Sequence, residues 1–362
     1  MSLSTAAGIV DFMYANTPED ERIDVAFFGG EPLLQFDLIR RITDLIENHP
    51  RYDSGRLELS VVTNGTVFST KIADFIRRHH MVFGISCDGP PEVQDYFRRF
   101  ADNRPSSNIV EETIVAAVSS LPAVMVNSVY HPDTLIHLPV AVDYLFSLGL
   151  RRIHLNPDYS APWTSREIAQ LPKIYAAIGR QFVNYYLRDT PCYISLIDAK
   201  IAVILRDGYH TAERCRMGRG EYAFSPNGNI YPCERLIEDG EENGHTIGHV
   251  DRGLDLTNLA CNRAAGGKKN TQCVTCSINA YCMNWCGCSN FMATGYYNRV
   301  GAFLCASEKA AVQTALDAFK TIENLRGPTF VDHLAGLPGM NSFDYQEHDR
   351  LSATAGLKRK HI

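Results

Sequence analysis

Residues 23–32 read IDVAFFGGEP: an apolar run, then two glycines, a carboxylate and a proline. Six apolar-rich residues stopped by Gly-Gly are too few for a buried helix and suit a buried strand. An amphipathic helix pattern follows near 36–48, and the alternation then repeats four times. Strands near 57–62 (LELSVV), 81–86 (MVFGIS), 123–129 (AVMVNSV) and 152–155 (RIHL) precede helices near 69–79, 108–120, 133–148 and 166–188. This rhythm predicts an α/β fold with right-handed crossovers and a parallel sheet. The strands read as apolar on both faces, as a sheet covered by helices requires. A helix at 5–16, with Ser4 as its cap, opens the series with no strand before it.

Strand ends are where the chemistry gathers. In parallel α/β proteins the loops at the C-terminal ends of the strands converge on ligands. Gly29 and Gly30 let the backbone approach a bound group, Pro32 stiffens the exit, and carbonyls with Glu31 suit a cation such as an ammonium. Later strand ends carry Thr63-Asn64-Gly65, Ser86-Cys87-Asp88-Gly89-Pro90, Asn127 and Asn156-Pro157. Each alone is an ordinary turn residue; four in succession on one rim point to a ligand across the top of the sheet.

Beyond about residue 205 the alternation stops and cysteines take over. The run is Cys215-x12-Gly228-x4-Cys233, a gap, Cys273-x2-Cys276-x5-Cys282-x3-Cys286-x1-Cys288, a gap, and Cys305. Eight soft ligands serve two metal sites, and Cys261 in the first gap is a ninth. Turns at 226–229, 240–244 and 266–267 separate short segments, so metal is the expected source of stability. Thiolates suit both zinc and iron–sulfur clusters; one tight C-x2-C pair among scattered partners favours clusters. A helix near 306–324 follows, and the tail after about 326 shows no pattern and is expected to be partly disordered.

Composition sets bounds on function. The chain of 362 residues can bury a full core, as two domains or one barrel with an appendage. A net charge of −6 gives no reason to expect nucleic acid. No apolar run reaches the ~20 residues of a membrane span, and no secretory signal opens the chain. A cytoplasmic protein is expected, in which clustered cysteines hold metal rather than pair as disulfides.

Strand-plus-GGEP, TNG after the next strand and SCDGP after the third resemble the barrel of radical S-adenosylmethionine (SAM) enzymes. The cysteine run matches the SPASM pattern of that superfamily, C-x9–15-G-x4-C, gap, C-x2-C-x5-C-x3-C, gap, C, at every interval. Sulfatase-maturing enzymes and peptide maturases belong to it. The resemblance implies a partial (β/α)6 TIM-like barrel missing its first strand over 1–205, a loop-rich SPASM domain over 206–310, and a C-terminal helix and tail over 311–362. It implies that Gly29, Gly30, Glu31 and Pro32 hold the methionyl amino group of SAM, with Asn64, Ser86, Asp88 and Asn127 on its methionyl and ribose parts. One auxiliary 4Fe-4S cluster would sit on Cys215, Cys233, Cys286 and a fourth ligand, Cys288 in preference to Cys261. The other would take Cys273, Cys276, Cys282 and Cys305, leaving Cys87 and Cys192 as packed thiols. Glu234 stands where sulfatase-maturing members carry an aspartate base; a salt bridge to Arg235 is the alternative. A ribosomally made peptide or protein substrate and a reductant such as flavodoxin or ferredoxin are the implied partners.

One feature departs from the family. Its defining C-x3-C-x2-C motif, which binds the SAM-cleaving cluster, occurs nowhere in the 362 residues. The absent strand and the absent motif fit a chain that begins too late, so upstream DNA is expected to encode both in frame. Without that cluster the chain as it stands is expected not to turn over. The alternatives are a non-catalytic iron–sulfur electron-transfer or peptide-binding paralogue, and a zinc-stabilised binding module.

Overall fold

The computed structural model describes residues 1–210, 213–215, 217–237, 244–255, 257–258, 270–325 and 330–336. Cys261, the turns at 240–243 and 266–267, and the tail beyond 336 lie outside the described residues. Strands β1 (Ile23–Phe27), β2 (Leu57–Thr63), β3 (Val82–Ser86), β4 (Val124–Tyr130), β5 (Arg152–Pro157) and β6 (Tyr193–Ile194) form one sheet in chain order. Every neighbouring pair is parallel. Helices α1 (Leu3–Asn16), α2 (Phe36–Glu47), α3 (Thr70–Arg78), α4 (Pro91–Phe97), α5 (Ser107–Ser120), α6 (Leu138–Ser147), α7 (Ser165–Ile168), α8 (Leu171–Leu187) and α9 (Ser195–Leu205) supply the crossovers. The result is the wall of a partial barrel.

Four details correct the sequence reading. A sixth strand, β6, and helix α9 extend the series; two residues of strand carry no period, and α9 (SLIDAKIAVIL) is buried nearly all round. The seven-residue α4 was not foreseen. Ser2, not Ser4, caps α1, its Oγ accepting from the Thr5 amide at 3.0 Å. The strands are not covered on both faces. Along β2, buried Leu59, Val61 and Thr63 alternate with half-buried Ser60 and Val62, and β4 repeats the pattern. The inner, concave face is therefore partly open, as a pleated wall curving around a space must be.

The cysteine-rich half is built on a four-stranded antiparallel sheet, β10 (Gly253–Leu254), β9 (Gly248–His249), β8 (Asn229–Tyr231) and β7 (Ala223–Phe224). Gly228, the glycine of the cysteine pattern, turns the β7–β8 hairpin with φ of 93°. A Cβ there would stand 2.9 Å from both His249 and Val250, so side chain and conformation both demand glycine. Phe12 of α1 closes this sheet edge-on against Tyr222 and Phe224, at 5.3 and 5.5 Å between ring centres.

The helix Ala302–Leu325 joins the halves. It packs along α8, where Gly179 leaves room for Thr314. Its Ser307 Oγ lies 2.8 Å from Tyr175 Oη, itself 2.5 Å from Tyr130 Oη at the end of β4. Glu308 accepts from Lys200 Nζ of α9 at 2.7 Å, with both side chains almost wholly buried. Burial, the largest single influence, works against the Lys200 charge, yet Glu308 and Tyr209 together raise its pKa above the usual lysine value. Beyond residue 326, helix Phe330–Ala335, which the sequence pattern did not mark, buries Phe330 and Leu334 in the main core, and His333 Nε2 pairs with buried Asp198.

Removing one member of a buried ion pair strands the other charge, at a cost of ~3–5 kcal/mol. Lys200→Met alone is therefore expected to lower the unfolding free energy by about that much in denaturant melts. Lys200→Met with Glu308→Leu should recover most of it; equal loss in both proteins would contradict this account.

Candidate functional site

The GGEP turn leaves β1 at the C-terminal edge of the sheet. No atom comes within 4 Å of an added Cβ at Gly29 or Gly30, so the space above both is open. Gly29 has φ of 149°. Glu31 does something the sequence reading did not assign to it. Its Oε1 accepts from the Leu33 amide at 2.9 Å and from Thr63 Oγ1 at 2.8 Å, and its Oε2 from the Asn64 amide at 2.6 Å. The carboxylate straps the β1 loop to the β2 loop and caps the short turn that Pro32 begins. What faces the open space at this turn is backbone, flanked by exposed Phe28.

The other rim residues divide into two groups. Asn64 uses Oδ1 to close its own turn, accepting from Thr66 N and Oγ1 at 2.9 and 2.7 Å. Ser86 stands in register with Asn127, and Asn127 with His154. All three are half-buried on the inner face, forming a polar row across β3, β4 and β5. His154 was missed: in RIHL it reads as core filler, and only the register sets it beside Asn127. Burial first, then the charge of Arg152, lower its pKa, so the imidazole is neutral at pH 7. Asp88 belongs elsewhere. It is buried, with Oδ2 accepting from Arg98 Nε at 2.7 Å and Oδ1 from the Val129 amide at 2.8 Å. One oxygen thus fastens the β3 loop to β4 and the other fastens it to the end of α4.

Cys215, Cys233, Cys286 and Cys288 gather in one pocket. Cys286 and Cys288 hold their sulfurs 3.6 Å apart, and Cys288 is in hydrogen-bond contact with Cys233. Cys233, Cys286 and Cys288 share a small core with Leu236 and Tyr297, against which Met217 and Trp285 pack. Contact with Cys233, above all, raises Cys288 to about 11. Burial, then Glu221, raises Cys215 to about 12. Crowded thiols resist ionisation until a cation arrives, and a bound metal would reverse this. All four donors are sulfur, the set that iron–sulfur clusters take. Two thiolates on one tetrahedral zinc would stand ~3.8 Å apart for bonds of ~2.3 Å, a separation that the 3.6 Å between Cys286 and Cys288 approaches.

Glu234 follows Cys233 with its side chain 41% exposed. Its Oε2 accepts from Cys233 Sγ at 3.4 Å, and Oε1 lies 3.9 Å from Arg235 Nε. So long and open an ion pair is worth little, leaving the carboxylate available. Glu221, Cys233 and Glu234 bring ligand atoms within 4.8 Å of one another. The Arg235 guanidinium lies 5.5 Å from the ring centre of Tyr159, on the loop after β5. That contact sets the first thiol pocket at the rim of the barrel.

The second set is looser. Cys273, Cys276 and Cys305 are half-buried and close enough for their charges to interact. Cys282 is buried with Ile278 and Val312, and Cys276 packs against that core. Cys87 and Cys192 are packed thiols, raised to about 12 mainly by burial. Among the described residues no helix is long and apolar enough to cross a membrane.

No family model matches the chain. It is similar to the serine-type anaerobic sulfatase-maturating enzyme of Klebsiella aerogenes, 23% identical over 76% of this chain and 70% of that protein. The cysteine-type enzyme of Clostridium novyi is 23% identical over 74% of each. A radical SAM cyclopropyl synthase of Paramaledivibacter caminithermalis is 20% identical over 74% of this chain and 54% of its own length. Among solved structures, native anSMEcpe with bound AdoMet superposes with a TM-score of 0.73 at 17% identity, covering 90% of both chains. The fold is thus that of this structure, and the chain is a relative of radical SAM maturases of the sulfatase-maturating kind, as its motifs implied.

If Glu31 straps the rim, its loss should be local and measurable. Hydrogen bonds to a charged group contribute ~1.5–3 kcal/mol each. Glu31→Ala is expected to speed hydrogen exchange at the Leu33 and Asn64 amides at least tenfold, and Glu31→Gln to do so less. Unchanged protection in Glu31→Ala would remove the strap.

Proposed function

We propose that this chain is a radical SAM/SPASM maturase framework acting on a peptide or protein. The observation that carries the reading is the gathering of Cys215, Cys233, Cys286 and Cys288 beside the open end of a partial barrel whose first turn is GGEP. Gly29 and Gly30 would receive the methionyl ammonium of SAM on backbone carbonyls, held in place by Glu31 rather than contacted by it. Asn64, Ser86 and Asn127 would meet the methionyl and ribose parts, with neutral His154 completing their row; Asp88 would position the β3 loop. SAM, when bound and reductively cleaved, supplies a 5′-deoxyadenosyl radical that takes hydrogen from the substrate. Glu234, exposed at the rim, would accept the substrate proton, and the electron released with it would pass to an auxiliary cluster.

The relatives support a peptide or protein substrate: native anSMEcpe has been solved with bound AdoMet and Kp18Cys peptide. Two 4Fe-4S clusters would take Cys215, Cys233, Cys286 and Cys288, and Cys273, Cys276, Cys282 and Cys305. Flavodoxin or ferredoxin is the class of reductant expected, in a cytoplasmic setting. Because C-x3-C-x2-C is absent from these 362 residues, they would bind SAM without cleaving it. A non-catalytic role in electron transfer or peptide binding is the alternative for this stretch of sequence. The 3.6 Å spacing of Cys286 and Cys288 favours a second reading, a zinc-stabilised module.

Anaerobic reconstitution separates these. We expect about eight iron and eight sulfide per chain, SAM binding by calorimetry, and no 5′-deoxyadenosine with dithionite. Cys286→Ser should remove about half of the iron. Colourless protein holding zinc and no acid-labile sulfide would overturn the cluster reading.

A further inference from the structure

Arg235 has no role in the reading above, but its surroundings assign it one. Its side chain is 34% exposed, and Nη1 donates to Ser289 Oγ at 3.0 Å. That oxygen, buried, lies 3.2 Å from Cys286 Sγ. Because the serine oxygen accepts from the guanidinium, its own proton is free to point at the sulfur, and each bond polarises the next. The carboxylate that pairs with Arg235 among the described residues is Glu234, at 3.9 Å and 41% exposed, so it cancels only part of the positive charge. The Tyr159 ring also holds the guanidinium, which lies over it 5.5 Å from the ring centre.

We infer that Arg235, acting through Ser289, is a positioning residue that raises the reduction potential of the cluster held by Cys215, Cys233, Cys286 and Cys288. The inference rests on the cluster reading proposed above. Reduction adds one negative charge to the cluster. A nearby cation, and a hydrogen bond to a ligand sulfur, stabilise the reduced form more than the oxidised one. At the second thiol set Lys309 acts on Cys273 by charge alone, and Lys200, beside Cys282, is already paired with Glu308; among the described residues neither is relayed to a sulfur through a hydroxyl.

The test is a potentiometric titration of the reconstituted chain followed by electron paramagnetic resonance, the first-site signal being the one lost in Cys286→Ser. Arg235→Gln is expected to change the reduced-to-oxidised ratio at fixed potential about tenfold toward oxidised, a fall of ~59 mV for one electron. Arg235→Lys, which keeps charge but not the planar fork, should fall less. Ser289→Ala, which keeps the cation but breaks the relay, should fall in the same direction. The second-site signal should not move in any of them. If Arg235→Gln loses its iron, Ser289→Ala decides alone. A first-site potential equal to the unaltered protein's in the variants that retain iron would overturn the inference. Unaltered protein without iron and sulfide would instead sink the cluster reading, before Arg235 is tested.

Discussion

Glu308 is the point through which the barrel and the thiol region become one object. Its carboxylate takes Lys200 Nζ from α9 and the Met283 amide, which lies between Cys282 and Cys286 in the chain. Cys305 sits one turn earlier on the same helix. A region of two-residue strands and small cores has little apolar burial with which to choose its own arrangement. A buried ion pair is weak evidence for stability, because desolvation opposes the attraction. Its consequence here is register: only one seating of the 281–283 segment satisfies Lys200, which also donates to the Tyr281 carbonyl at 3.0 Å.

That constraint was invisible in the sequence, whereas the barrel was plain. Five strands with helices between them repeat a pattern that hydrophobic spacing reveals, and they form a parallel sheet in the expected order. What spacing could not reveal was anything shorter than a period or buried on every side. Thus β6 and α9 went unread, and with α9 the buried Lys200. The site was legible in outline. Gly29 to Pro32 announced a turn at a strand end, but a motif does not say which of its atoms face inward. Glu31 and Asp88 are the carboxylates that composition marks for a ligand, and both are occupied by amide, hydroxyl or guanidinium donors of the protein. His154 went the other way: one polar residue in an apolar strand carries no signal until the neighbouring strand shows its register.

The thiol spacing was legible for a different reason. Intervals in the cysteine run record backbone geometry, not periodicity. Gly228 shows this, since its left-handed conformation and the press of His249 and Val250 leave no room for a side chain. Moving it would misdirect β8 and hence Cys233. Gly287 makes the same point within Cys286-Gly287-Cys288, where Met217 Sδ presses on the place a Cβ would take. A C-x-C with glycine between its cysteines is a device for turning two sulfurs to one side.

Thiols arranged this way gain from a metal in proportion to how poorly they tolerate one another without it. Burial and mutual contact hold Cys215 and Cys288 well above the ordinary value of 9.0. Without a metal they would be protonated and mutually crowded. Binding a cation must expel those protons, and the free energy released then counts toward ordering the surrounding loops. Arg235 supplies positive charge to this pocket through its hydrogen bond to Ser289, and it cannot replace a metal because it reaches one sulfur only through that hydroxyl. It can only bias the charge state of whatever the four sulfurs hold. Ordering the loops and setting the electronics are therefore separate tasks here, the first falling to the bound metal and the second to a guanidinium that the barrel's own Tyr159 keeps in place.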